Sequence, residues 1–184
     1  MAISIRRARG ALAAGVLLLS ATAAGAGIRQ FSFDPADEET RAAAGPVTFV
    51  VNQTMFSTRV LKMRSTEAKA TVDLARADIG ALGRDGFSRA VGRDALEREL
   101  YRILPVDDGP ALIAALCPGS KRAWLALSPV RNREDVRAVV IGDDPTGGPA
   151  KRCRALAFTF HGEWTLPPGT PPPVEEAAPP DFPN

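Results

Sequence analysis

Four consecutive residues near the C-terminal end of the chain, His161 to Trp164, carry the side chains best suited to chemistry. They join the single histidine of the sequence to a carboxylate, Glu163, and to one of the two tryptophans. A histidine acts as general base for a serine hydroxyl when an acid orients its ring, and His161 could recruit Ser120 as nucleophile and Asp143 or Asp144 as the acid. No G-x-S-x-G elbow accompanies Ser120 in the sequence. The segment otherwise indicates a strand end at which Trp164 closes the bottom of the core.

The two cysteines, Cys117 and Cys153, allow either a disulfide bond or a chemical role. A redox pair usually has two residues between its cysteines, and these two lie far apart in the sequence. A cysteine nucleophile would need a base, and His161 is the one histidine available for it. Because an even pair in an oxidising compartment is most simply a disulfide, we predict a Cys117–Cys153 bond that ties a short helix to the C-terminal strands.

Two other segments have the composition of ligand sites. Residues 142–148 are rich in glycine but lack the Lys and the following Ser/Thr of a phosphate loop, so they predict a turn. Ser120, Lys121 and Arg122 follow a predicted helix end, where the dipole favours positive charge, and they are a candidate contact for an anionic ligand or a cell-envelope polymer. One histidine and two cysteines cannot supply the four ligands of a zinc cluster. We predict no metal and no cofactor.

Residues 1–26 have the layout of a secretory signal peptide. Three arginines precede an apolar run over residues 11–19, and the Ala-Gly-Ala of residues 24–26 matches the small-x-small pattern that a signal peptidase cuts. We therefore expect export to the periplasm or the extracellular space. The alternative is a membrane tether formed by an uncleaved segment, since residues 10–28 are uncharged and just long enough to span a bilayer.

Cleavage would change the charge of the protein. The full chain has a formal net charge of +2, and the loss of the three arginines before residue 27 turns this value into −1. A nearly neutral domain gives no electrostatic reason to bind nucleic acid, which requires a clustered basic face. We therefore predict no nucleic-acid partner.

Composition separates a folded domain from a tail. The sequence is 45% hydrophobic and 24% charged, which is typical of a globular domain and not of a disordered chain or a polytopic membrane protein. After residue 166 proline dominates, and proline supports neither a helix interior nor a sheet ladder. We predict a single globular α+β domain over residues 27–166 and a Pro-rich disordered tail over residues 167–184.

The N-terminal half of the predicted domain combines strands with a helix. β-branched and apolar residues predict strands over residues 28–33, 47–51 and 58–63. Asp34 as N-cap and Pro35 at the first position predict a helix that ends at Gly45. Residues 66–104 do not decide between helix and strand because glycines interrupt them, although the apolar spacing over residues 96–104 favours a helix.

The C-terminal half gives the clearest pattern. Apolar residues on one face predict a short helix over residues 110–116, which Cys117-Pro118-Gly119 ends. Three strands, over residues 122–128, 136–141 and 154–161, would then form a meander covered on one face by that helix. The predicted fold class is α+β, an antiparallel sheet packed with two or three short helices.

The absence of a coherent catalytic set in the sequence guides the functional expectation. We predict an exported binding or structural domain without catalytic activity, associated with an envelope protein or polymer. The alternative is a small exported hydrolase that uses His161 with a Ser or carboxylate partner.

Overall fold

The computed structural model describes residues 27–165 except Met55, Arg84 and Asp94, and its eight antiparallel strands close into one barrel. Each strand pairs with its neighbours in the sequence, and the last strand pairs with the first. The strands are β1 (Gly27–Pro35), β2 (Val47–Gln53), β3 (Thr58–Ser65), β4 (Ala70–Arg76), β5 (Glu99–Ile103), β6 (Ala123–Leu127), β7 (Val136–Gly142) and β8 (Lys151–Thr165). The helices are α1 (Glu38–Ala43), α2 (Gly86–Val91), α3 (Gly109–Leu116) and a 3₁₀ turn (Ile79–Leu82).

The predictions for the two ends of the chain are not tested by this structure. The signal segment, residues 1–26, and the whole of the predicted tail, residues 167–184, lie outside the described residues. Within the part of the chain that is described, no helix is long and apolar enough to cross a membrane.

The predicted α+β class is wrong, because the sheet does not stop at a C-terminal meander. The three predicted strands exist as β6, β7 and β8, but β6 also pairs with β5 and β8 also pairs with β1. The undecided segment, residues 66–104, supplies both β4 and β5 and thereby bridges the two halves of the sheet. Full closure leaves the three short helices as connections rather than as a layer against the sheet.

The helix predicted over residues 96–104 is a strand for a physical reason. At its centre, strand β5 is covered on both faces: Tyr101 points into the barrel and Leu100 belongs to a second apolar cluster on the outside, whereas Arg102 of the outer face is exposed. A strand buried on both sides loses the alternation of apolar and polar residues that reveals a half-exposed strand. The same loss affects β6, in which all five residues are buried.

The first helix starts later than the sequence predicts. Asp34 and Pro35 are the last residues of β1, and the helix begins at Glu38 with Asp37 as its N-cap. The Asp37 carboxylate accepts a hydrogen bond of 2.7 Å from the amide of Thr40. Two aspartates three positions apart can each cap a helix, and pairing of β1 with β8 decides between them because it makes Asp34 part of strand β1.

Large side chains fill the interior of the barrel. The ring of Phe33 makes edge-on contacts with Phe49 and Phe160, with centroids 5.8 and 5.7 Å apart. Eight strands enclose a space that side chains just fill or that holds one small ligand, and here side chains fill it. The largest fully buried side chains in this core include Phe31, Phe33, Phe49, Met63, Tyr101, Leu125, Leu127 and Phe158.

One end of the barrel, which we call the closed end, is sealed by α3. Leu112 and Leu116 of this helix are fully buried in the same cluster as the inward strand residues. Cys117, which caps α3, lies at disulfide distance from Cys153 at the start of β8, with Cα atoms 5.2 Å apart. The cysteine pairing predicted from the sequence is therefore present, but it ties α3 to the end of a barrel and not to the face of a meander.

A second apolar cluster lies outside the barrel. The β4–β5 connection folds back, so that Leu82, Ala90 and Val91 cover Trp124 and Val139 on the outer face of β6 and β7. This cover explains why β6 is apolar on both faces. It also carries the connection away from the second end of the barrel, which the described residues leave open.

Candidate functional site

At the end opposite α3, the inward-facing residues change from apolar to polar. Residues facing into a barrel recur every second position. Five polar residues at strand ends lie two positions from a buried core residue of the same strand: Arg29, Gln53, Thr58, Arg76 and Glu99. We call this end of the barrel, together with the connections that border it, the mouth. It consists of Arg29, Gln53, Thr58, Arg76, Glu99 and Glu163 at strand ends, with Arg131, Asn132 and Glu134 of the β6–β7 connection and Phe56 of the β2–β3 connection.

Strand register places the charged members of the mouth on the inner face. Arg29 pairs with Val51, and Glu163 pairs with Phe31, both fully buried core residues. Glu99 is opposite Leu127. Because paired residues in an antiparallel sheet point to the same face, these side chains stand above the packed core.

One side of the mouth is organised by Glu163. Its Oε1 atom accepts a hydrogen bond of 2.5 Å from the guanidinium of Arg29. Its Oε2 atom accepts a hydrogen bond of 2.6 Å from the side-chain amide of Asn132. The Glu163 carboxylate is mostly buried, whereas 41% of the Arg29 side chain is exposed. Through these two hydrogen bonds Glu163 of β8 holds both Arg29 of β1 and Asn132 of the β6–β7 connection.

Tyr101 forms the floor of the mouth on the other side. Its hydroxyl donates to Glu99 Oε2 at 2.7 Å and accepts from the amide of Val60 at 3.3 Å. Burial, and then the hydrogen bond to Glu99, raise the pKa of Tyr101 to about 12. The phenol therefore stays neutral and keeps the Glu99 carboxylate in a fixed position.

The members of the mouth other than Arg29 and Glu163 line an open cavity of about 650 Å³, within the range of small-ligand sites, about 300–1,000 Å³. The Gln53 Oε1 atom at its wall is buried and has no hydrogen-bond partner among the described residues. Arg76 is exposed at the wall and makes no ion pair with a described residue, whereas Arg131 and Glu134 lie 3.8 Å apart. The site therefore offers both donors and acceptors to a small ligand.

His161 lies on the outer face of the barrel, away from the mouth. Its Nδ1 atom is 2.8 Å from Asp34 Oδ2, and both side chains are more than half exposed. The predicted role of Trp164 in closing the core is wrong: its side chain is 59% exposed and its Nε1 atom donates to Ser32 Oγ at 3.1 Å. Strand β8 continues past His161 to Thr165, so the strand end predicted at His161 is a mid-strand position.

The structure does not bring together the three catalytic candidates. Glu163 points into the mouth while His161, two residues earlier, points outward. Ser120 lies at the closed end, where its hydroxyl contacts Cys117 Sγ at 3.2 Å and donates to the Asp143 carbonyl at 2.8 Å. The three side chains thus occupy three separate places.

The cationic segment after α3, residues 120–122, is already paired with a carboxylate of the chain, that of Asp143. Asp143 Oδ1 accepts hydrogen bonds from the amides of Lys121 and Arg122 at 2.8 and 2.9 Å, and Oδ2 accepts from Arg122 Nε at 3.1 Å. Burial opposes ionisation, but these bonds from Arg122 and Lys121 outweigh it and lower the pKa of Asp143. In residues 142–148 a turn forms as predicted, with Asp144 accepting from both donors of Thr146.

Sequence reasoning missed the mouth, although a signal for it exists. Once β4 is assigned, its inward series runs Val72, Leu74, Arg76 and becomes polar at the last position. The inward series of β5 runs from Glu99 to Tyr101 and Ile103 and is polar at its first position. In antiparallel neighbours, the end of one strand meets the start of the next, so the two changes fall at the same end of the barrel.

No group of three or more His, Cys, Asp or Glu residues among those described is placed to hold a metal ion. In comparisons with known proteins, the chain matches no family model, no curated protein and no solved structure.

Proposed function

We propose that this protein is an exported binding domain that holds a small polar ligand at the mouth of its barrel, without catalysis. The observation that carries the proposal is the change of the inward face from a filled apolar core to polar side chains at one open end. Barrel mouths are recurrent ligand sites. Because side chains fill the interior, the ligand stays at the mouth and does not enter the barrel.

Two features support export. The pattern of residues 1–26 is typical of a secretory signal peptide, and the Cys117–Cys153 pair lies at disulfide distance, as suits an oxidising compartment. N-terminal sequencing of the protein recovered from the cell envelope or the medium tests this part of the proposal. We expect the mature chain to begin near Gly27; a chain that keeps its first residues and stays in the membrane would contradict it and indicate a tether.

Thermal unfolding in the presence of small polar compounds tests the binding part. A ligand that binds only the folded protein raises the unfolding temperature according to its concentration relative to Kd. We expect hits for the wild type that Arg76→Ala and Asn132→Ala weaken or abolish. The matched controls are Arg152→Ala, an exposed arginine at the closed end, and His161→Gln, and both should respond like the wild type.

The His161→Gln variant also distinguishes binding from the alternative hydrolase. A binding domain keeps both its stability and its ligand response when His161 is replaced. A hydrolase would turn over ester, amide or glycoside test substrates and would lose that turnover in the variant while remaining folded. Turnover that depends on His161 would therefore overturn the proposal.

A further inference from the structure

We propose that the ligand of the mouth is a neutral saccharide unit, seated on its polar groups and against the ring of Phe56. This inference rests on the proposed function, because it names the ligand class of the same site.

The charges of the mouth cancel. Glu163 neutralises Arg29, and Glu134 neutralises Arg131. The remaining charges, Arg76 and Glu99, project from adjacent strands on the same inner face, at diagonal positions next to Tyr101. A ligand with a net charge would be partly desolvated here without a surplus of opposite charge, which is unfavourable.

The polar groups of the mouth alternate between donors and acceptors. The Arg76 guanidinium and the Asn132 amide donate, whereas the Glu99 and Glu134 carboxylates accept. A hydroxyl group both donates and accepts, so a ligand with several hydroxyls can satisfy this mixed set, whereas a carboxylate or an ammonium group can satisfy only half of it.

Phe56 adds an apolar contact at the rim. Its side chain lines the cavity and is 93% exposed, the highest exposure among the large hydrophobic residues described. A pyranose ring carries C–H groups on one face and hydroxyls around its edge. The negative face of an aromatic ring attracts such C–H groups, so one sugar can place its apolar face on Phe56 and its hydroxyls on the polar wall.

Calorimetric or NMR titration of the exported protein with three matched probes tests the inference. Glucose or a glucose disaccharide is neutral, glucuronate adds a carboxylate, and glucosamine adds an ammonium group. We expect the neutral sugar to bind at least several-fold more tightly than either charged analogue. Its affinity should not change with ionic strength, because no net charge is neutralised.

Substitution of Phe56 tests the aromatic contact. We expect Phe56→Ala to weaken binding of the neutral sugar about tenfold and Phe56→Trp to retain it, with unfolding temperatures unchanged because the ring is exposed. Tighter binding of glucuronate or glucosamine, or equal sugar affinity in Phe56→Ala, would overturn the saccharide assignment and leave the mouth as a binding site for another class. If none of the probes and no compound of the wider screen acts at the mouth, the proposed function fails as well.

Discussion

The two ends of this barrel differ in the polarity of their inward-facing side chains. At the closed end, α3 inserts Leu112 and Leu116 into the core, and the Cys117–Cys153 pair fixes the helix to β8. At the mouth, the inward-facing strand positions carry charged and amide side chains around an open cavity. The difference places tight apolar packing at the closed end, and our proposal places ligand binding at the mouth.

The closed end should give the largest loss of stability when it is altered. Replacing both Cys117 and Cys153 with Ala removes a cross-link between residues 36 positions apart, which lowers the free energy of unfolding by about 3–4 kcal/mol in the chain-entropy model. Denaturant unfolding of wild type and variant measures this change. Mass spectrometry before and after reduction provides the control, and two free thiols in the mature protein would contradict the disulfide.

A smaller but clear loss is expected at Gly142, which packs against the disulfide. A Cβ atom at this position would overlap Cys117 Sγ and Ser120 Oγ. Gly142→Ala should therefore cost about 1–3 kcal/mol of unfolding free energy, the range of overpacked cores. Gly162→Ala is the matched control, since an added Cβ there meets no atom within 4 Å, and equal stability of the two variants would refute the close packing.

The floor of the mouth should respond to alkaline pH. The folded state holds the Tyr101 proton more tightly, with a pKa of about 12 against the ordinary 10.0. The unfolded state therefore loses its proton first, so the contribution of Tyr101 to stability is complete below about pH 10 and is lost as pH rises towards about 12.

Tyr101 is the single tyrosine of the chain, so phenolate absorbance reports this residue alone. We expect its midpoint near pH 12 in the folded protein, and a midpoint near 10 would show a hydroxyl open to solvent. Tyr101→Phe should remove the alkaline signal and cost about 1–2 kcal/mol at neutral pH, because the buried Val60 amide loses its acceptor.

The smallest change in stability is expected within the mouth wall. Arg76→Ala removes an exposed side chain and should alter the free energy of unfolding by less than about 0.5 kcal/mol. Arg152→Ala at the closed end should have an equally small effect and makes the comparison between the ends direct. A loss above about 1 kcal/mol for Arg76→Ala would give this residue a structural role in place of a binding role.

Local features of the fold could be predicted from the sequence where one physical signal dominates. Helix 110–116 was predictable because its apolar face lies between clear start and stop residues, and the cysteine pair because no other chemistry suited it. Strand β5 was not, since the adjacent Leu100 and Tyr101 are buried on opposite faces and this hides its period. Barrel closure was not predictable either, because the pairing of β1 with β8 joins the two ends of the domain and leaves no local pattern.

The candidate site was harder to predict than the fold elements. His161 and Glu163 are two positions apart and would point to the same face of a regular strand. The register between β1 and β8 shifts at this point, between Ser32 and Phe33 of β1, and the resulting bulge in β8 breaks the alternation. Glu163 consequently faces the mouth while His161 faces outward towards Asp34. The members of the mouth come from separate strand ends and connections, so only the strand register assembles them.

The most direct test of the central claim is amide NMR mapping of a bound ligand, with any compound that stabilises the protein. We predict shifts concentrated at the mouth, in Thr58, Tyr101 and Asn132, with Leu112 and Leu116 of α3 unaffected. Shifts centred on α3, on residues 120–122 or on the face around His161, with the mouth unchanged, would contradict the account.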